Sequence, residues 1–165
     1  MQPADSRPQQ AAIRTDLGAI FVSLELSRST WLVTSLSPGG SEKMSKHQVG
    51  GGDVAGLLAR FAEVQAKARA RTGQLFPLIV IQEAGLDGFW LHRVLQSESI
   101  ESYVVDPASI ATSRRRRRAK TDRIDGEALV RALLAYKRGE PWVCAMVKAP
   151  RRRRSGAASA ASARR

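Results

Sequence analysis

The sequence predicts an α/β domain built on a mixed five-stranded sheet with flanking helices, and three observations predict it. Three β-rich segments follow one another with only short turns between them. Two further apolar segments are each preceded by a stretch with helical spacing of its apolar residues. The hydrophobic share, 43%, is that of a chain that buries a core.

Each element has its own signal. Ala19 to Leu26 alternates little and is apolar and β-branched until Glu25 interrupts it, which reads as a buried strand. Thr30 to Leu36 is a second strand, closed by the turn Ser37-Pro38-Gly39-Gly40. The polar, alternating stretch Glu42 to Val49 suits a third strand at the sheet edge. Gly50-Gly51-Gly52-Asp53 breaks it and caps the next element. From Val54 to Thr72 the residues Val54, Leu57, Leu58, Phe61, Val64 and Ala68 recur at helical spacing, and Gly73 ends the helix. Pro77 to Gln82 is a continuous apolar run, the mark of a central strand covered on both faces, and it closes on Glu83. A helix over Gly88 to Ser97, a strand over Ser102 to Asp106 and a helix from Thr121 to Arg138 complete the order. Short turns make the first three strands an antiparallel meander, and helical crossovers make the later ones parallel. That order is the ribonuclease H-like layout.

The 165 residues carry 27 basic and 15 acidic side chains, a net charge of +12. The excess is local. Five arginines form the run Arg114 to Arg118 and six lie after Pro150; without these eleven, 16 basic residues face 15 acidic ones. Concentrated patches of this kind favour a polyanionic partner. A single cysteine, Cys144, forms no internal disulfide, and no Cys/His cluster has zinc spacing. No apolar run approaches the ~20 residues of a membrane span, and the N-terminus lacks a signal-peptide core. The expected location is cytoplasmic, with no membrane partner. Residues 1–16 read as a disordered leader, 17–149 as the folded domain and 150–165 as a disordered Arg/Ala/Ser tail.

Four acids stand where a bland sequence would be apolar. Glu25 lies inside the first strand, and Glu83 ends the most apolar one; if the two strands are parallel neighbours, both acids emerge at the carboxyl end of the sheet, where open α/β sheets bind ligands. Asp122 and Asp125, three apart, share one face of the last helix, and the stripe continues through Leu129, Ala132 and Tyr136, so the pair is expected on the face packed against the sheet. Asp122 could serve only the helix dipole, but that does not account for Asp125, Glu25 or Glu83. Clustered carboxylates repel unless a cation neutralises them, and an all-oxygen donor set suits Mg²⁺ or Mn²⁺. Two such ions serve phosphodiester chemistry. Arg114, Arg115, Arg116, Arg117, Arg118 and Lys120, beside the acid pair, read as phosphate contacts. Trp31 and Trp90 read as core, and His47 and His92 as structural or surface residues. Ser27 and Ser29 have no evident base, and Asp87 and Asp106 read as turn and strand-end residues.

The stretch Lys120-Thr121-Asp122-Arg123-Ile124-Asp125-Gly126 resembles the Lys-Thr-Asp-x-x-Asp-Ala signature of the DEDD-type transposases, the insertion-sequence one-ten family. Glu83-Ala84-Gly85 with Phe89-Trp90-Leu91, and Val104-Val105-Asp106-Pro107, match it as well; the likeness spans about residues 18–149. It implies an N-terminal domain like the RuvC resolvase, in which Glu25, Glu83, Asp122 and Asp125 are the catalytic, metal-binding acids. It also implies DNA transposition with a structured guide RNA, in an enzyme expected to be a homo-oligomer. Leu24-Glu25-Leu26-Ser27-Arg28 departs from the family's Ile-Asp-Val-Ser-Lys, its first acid being one methylene longer. Nothing here corresponds to the family's C-terminal serine domain, so the sequence reads as truncated, with a frame change expected near residue 150. The alternatives are a stand-alone resolvase-like nuclease and a non-catalytic nucleic-acid-binding remnant.

Overall fold

The computed structural model describes residues 18–40, 43–85, 88–110 and 124–149; the leader, the tail and the arginine run fall outside them. Three strands open the chain: β1 (Ile20–Leu26), β2 (Thr30–Leu36) and β3 (Ser45–Gly50). Helix α1 (Val54–Thr72), strand β4 (Leu78–Glu83), helix α2 (Gly88–Ser97), strand β5 (Glu101–Val105) and helix α3 (Gly126–Lys137) come after them. The strands form one sheet in the order β3-β2-β1-β4-β5. β1 pairs antiparallel with β2 and β2 with β3, while β4 runs parallel to both β1 and β5. This is the mixed, ribonuclease H-like arrangement that the order of elements predicts. No helix among the described residues is long and apolar enough to cross a membrane.

Alternation along the strands divides the interior in two. Ile20, Val22 and Leu24 of β1 point with Trp31, Val33, Leu78 and Val80 into a core closed by Leu57, Phe61, Val64 and Ala68 of α1 and by Leu91 and Leu95 of α2. Phe21, Leu36, Ile79, Ile81 and Val105 face the other way, against Leu129, Val130 and Leu133 of α3. β4 is therefore covered on both sides, as its unbroken apolar run requires. Even its one polar interior residue, Gln82, is buried, with its Nε2 donating to the Gly88 carbonyl at 2.7 Å.

The caps fall where the sequence places them. Asp53 Oδ1 accepts from the Gly56 backbone N–H at 2.9 Å to start α1, and Gly73, at φ 76°, ends it in the left-handed conformation that glycine adopts without strain. Two boundaries differ from expectation. β3 begins at Ser45, and α3 begins at Gly126 with Asp125 as its N-cap rather than at Thr121, which lies outside the described residues. Trp90 also departs from expectation. Gly88, Leu91, His92 and Leu95 form the buried stripe of α2, and Trp90 falls off it, 47% exposed, whereas Trp31 is 1% exposed.

The outer edge of β5 is not open. Ala145 to Val147 lies antiparallel to it, with the Asp106 N–H donating to the Ala145 carbonyl at 3.0 Å and the Val147 N–H to the Val104 carbonyl at 2.7 Å. Between β5 and α3, Lys137 Nζ meets Glu101 Oε1 at 2.6 Å, and the rings of Tyr103 and Tyr136 stand edge to face at 5.4 Å.

Under α2, buried His92 shares a 2.9 Å hydrogen bond between its Nδ1 and Ser102 Oγ. Burial, and after it the nearby Arg93, pulls the imidazole below its ordinary range. The unfolded chain therefore takes up a proton near pH ~6.5 that the folded chain refuses. Stability from this site is complete above that pH and is lost as pH falls toward the folded value. Urea midpoints measured from about pH 8 down to about pH 5 should fall on acidification, and His92→Gln should flatten the curve. An unchanged slope in the variant would assign the pH dependence elsewhere.

Candidate metal and phosphodiester cleft

Three elements converge at the carboxyl ends of β1 and β4. The two strands are parallel neighbours in register, with Leu24 beside Gln82, so the next rung sets Glu25 beside Glu83 on strands ~4.8 Å apart. Both acids continue the α3-facing set, Phe21 and Ser23 in β1, Ile79 and Ile81 in β4, and so project toward α3. Both are half-buried. They line an open cleft of about 270 Å³ together with Arg28, Gly85, Gly88 and Ile124.

Helix α3 delivers its N-terminus to this place by an unusually close approach. Ser23 Oγ donates to the Gly126 carbonyl at 2.7 Å. A Cβ at Gly126 would stand 2.3 Å from Thr34 Oγ1 and 2.9 Å from Ser23 Oγ, so any larger residue there requires the helix or these side chains to shift. The small polar pair Ser23 and Thr34, adjacent across β1 and β2, is the notch that admits it. One residue earlier, Asp125 has extended backbone, and its Oδ1 accepts from the Ala128 N–H at 2.8 Å.

Of the four acids read from the sequence, the fold brings Glu25 and Glu83 together on one cleft and places Asp125 immediately after Ile124, which lines it. Asp122 lies outside the described residues, as do Asp87, Arg114 to Arg118 and Lys120. Asp125 requires a correction. It does not sit on the buried stripe of a helix: it is exposed and precedes the first turn. The reason is local, since an Asp side chain satisfies the first-turn N–H groups best from the N-cap, and the notch fixes Gly126 as the first helical residue. Leu129 and Ala132 of the expected stripe are buried, but Tyr136 reaches the surface at 37% exposure. Among the described residues no group of three His, Cys, Asp or Glu side chains is arranged to hold a metal.

Other polar residues have plain structural roles. Ser27 Oγ donates to the Thr30 carbonyl, so it is a turn residue rather than a nucleophile, and Asp106 caps the short 3₁₀ turn Pro107–Ser109. Sequence reasoning quoted Arg28 within Leu24-Glu25-Leu26-Ser27-Arg28 but gave it no role, although it lines the cleft; its basic character just beyond the end of the strand that carries Glu25 is the signal that could have found it.

The architecture thus defines a class: a ribonuclease H-like α/β domain with paired strand-end carboxylates facing a helix N-terminus. No family model matches the chain. Over 151 residues it is 77% identical to the Sinorhizobium fredii (strain NBRC 101917 / NGR234) protein named "Putative transposase y4rJ". The match covers 91% of this chain and 38% of that protein, so the chain spans less than half the length of the curated relative that it matches.

Proposed function

We propose that this chain is the metal-binding, ribonuclease H-like part of a DNA transposase of the DEDD type, the insertion-sequence one-ten family. The observation that carries the reading is that Glu25 and Glu83, one residue past the last paired rung of adjacent parallel strands, line one cleft with the residue before Asp125. The 77% identity to a protein with the transposase name supports it. Glu25, Glu83 and Asp125, with Asp122, would hold Mg²⁺ or Mn²⁺, a hard cation for an all-oxygen donor set. When bound, such ions polarise a phosphodiester and ready a hydroxyl for attack on it.

The remaining chemistry belongs to the chain. The sheet sets the two glutamates on one cleft, and carboxylates gathered in this way favour a cation. The Ala128 N–H occupies Asp125 Oδ1 and so orients that carboxylate at the head of α3. Arg114 to Arg118 and Lys120 supply phosphate contacts that position nucleic acid without reading its sequence. DNA is the substrate; a structured guide RNA and homo-oligomeric assembly belong to the full-length enzyme in this reading.

Thermal unfolding with and without Mg²⁺ or Mn²⁺ tests it. Metal at ~100 times its dissociation constant should add about 2.7 kcal/mol, several degrees in a domain of this size. Glu83→Gln and Asp125→Asn should each abolish the shift. A folded wild-type chain that does not respond would overturn the metal reading and favour a nucleic-acid-binding remnant, the second reading, which the N-capping role of Asp125 supports.

A further inference from the structure

The turn between β1 and β2 is braced both by its own residues and from the end of β3. The Ser27 N–H donates to the Thr30 carbonyl at 3.2 Å, Ser27 Oγ donates to the same carbonyl, and the Thr30 N–H returns a bond to Ser27 Oγ at 3.1 Å. From the end of β3, the Gly51 N–H donates to the Ser29 carbonyl at 2.9 Å. Gly51 is pressed so closely on the turn that a Cβ there would stand 2.2 Å from the Arg28 carbonyl oxygen and 2.8 Å from its carbon. Both contacts are to backbone, which has no rotamer to yield.

The residue this brace presents is Arg28. It is exposed, it lines the cleft with Glu25 and Glu83, and none of the ion pairs among the described residues involves it. A guanidinium is a planar, permanently charged fork that matches two oxygens of a phosphate. At the rim of a cleft whose floor is anionic, it supplies the cationic contact that a phosphodiester needs in order to enter.

We propose that Arg28, fixed by the Ser27–Gly51 brace, is a phosphate-binding residue that seats a DNA backbone phosphate over Glu25 and Glu83. The inference rests on the phosphodiester reading of the cleft. It adds that one end of the substrate's position is set by the β1–β2 turn and not by the arginine run, far along the sequence. Gly51 is then a positioning residue, acting through the backbone of the turn.

The salt dependence of DNA binding tests it, using the whole chain, a duplex of about 16 base pairs and Ca²⁺ in place of Mg²⁺. Loss of one phosphate contact should lower affinity about tenfold at low salt and reduce the slope of log K against log salt by about one. Arg28→Gln should show both effects. Arg28→Lys should keep the slope and recover only part of the affinity, because it keeps charge but not the fork. Arg71→Gln is the control: its guanidinium lies beside Gly40, beyond the opposite end of β2, and it should change neither. Gly51→Ala retains the guanidinium but displaces the turn, and should weaken binding as Arg28→Gln does.

An Arg28→Gln slope and affinity equal to wild type would overturn the proposal, as would a wild-type chain that does not bind the duplex. Normal affinity in Gly51→Ala would overturn the positioning role. Failure of the metal reading is separable. It would appear as unfolding indifferent to Mg²⁺ or Mn²⁺ in a chain whose Arg28→Gln variant still loses the phosphate contact.

Discussion

Phe61→Ala is expected to destabilise the domain by roughly 3–5 kcal/mol, the usual cost of emptying a large aromatic site in a closed core. Phe61 is 2% exposed at the middle of α1, in the core that also contains Trp31, Leu24 and Val80. The core it belongs to is built largely on β1, β2 and β4, strands paired on both sides, so the site cannot collapse far, and the upper part of the range applies. A total stability of only about 5–15 kcal/mol is usual for a domain, so this one change removes a large share of it. Chemical unfolding followed by circular dichroism would check the value. A loss under about 1 kcal/mol would mean that α1 is less firmly seated on the sheet than its burial indicates.

Gly126→Ala should give the second large effect, and its sign is decided by geometry against propensity. Alanine in place of glycine favours a helix by up to about 1 kcal/mol. Here the added Cβ would meet Thr34 Oγ1 at 2.3 Å, Ser23 Oγ at 2.9 Å and Thr34 Cβ at 3.0 Å. Thr34 is β-branched and fully buried, so it yields poorly, and overpacking of this kind costs roughly 1–3 kcal/mol. The steric term wins. The helix must move off the sheet, carrying Asp125 with it, so the metal-dependent rise in unfolding temperature should shrink along with the stability. Thr34→Ala in the same chain removes the closest contact and should restore part of both. Equal stability of Gly126→Ala and wild type would show that the close approach of α3 is not a constraint.

These two positions mark what the sequence discloses and what it hides. Phe61 was legible, because apolar residues spaced as they are from Val54 to Ala68 fall on one side of a helix and scatter over both faces of a strand. The unbroken apolar run of β4 likewise identified a central strand, and with it the place of Glu83. Glu25 was legible for the opposite reason, as a charged residue in an otherwise apolar strand. The start of α3 was not. Spacing alone extended the helix back through Asp125 and gave that residue a buried face, whereas the start depends on a notch formed by Ser23 and Thr34, about a hundred residues upstream. Tertiary contacts at that separation leave no periodic trace. Trp90 was hidden for a different reason: the α2 stripe that buries Leu91 and His92 excludes the residue just before them, and on so short a helix a shift of one residue reverses the assignment. The brace under Arg28 was visible only as three consecutive glycines, which announce a turn without saying what the second of them touches.

The return of Ala145 to Val147 along β5 has a consequence for how this unit can be separated from a longer chain. A β-strand left bare at the margin of a sheet offers unsatisfied N–H and C=O groups to any other strand it meets, including the same strand in a second molecule. At the β3 margin Lys46 and a run of polar side chains discourage such pairing. At the β5 margin the strand ends in the apolar, buried pair Val104 and Val105, and protection there comes from the chain beyond α3. A fragment ending with α3 would keep every helix and strand of the fold and still be prone to self-association. The working boundary of the domain is therefore set by solubility, several residues beyond the last element that secondary structure alone would count.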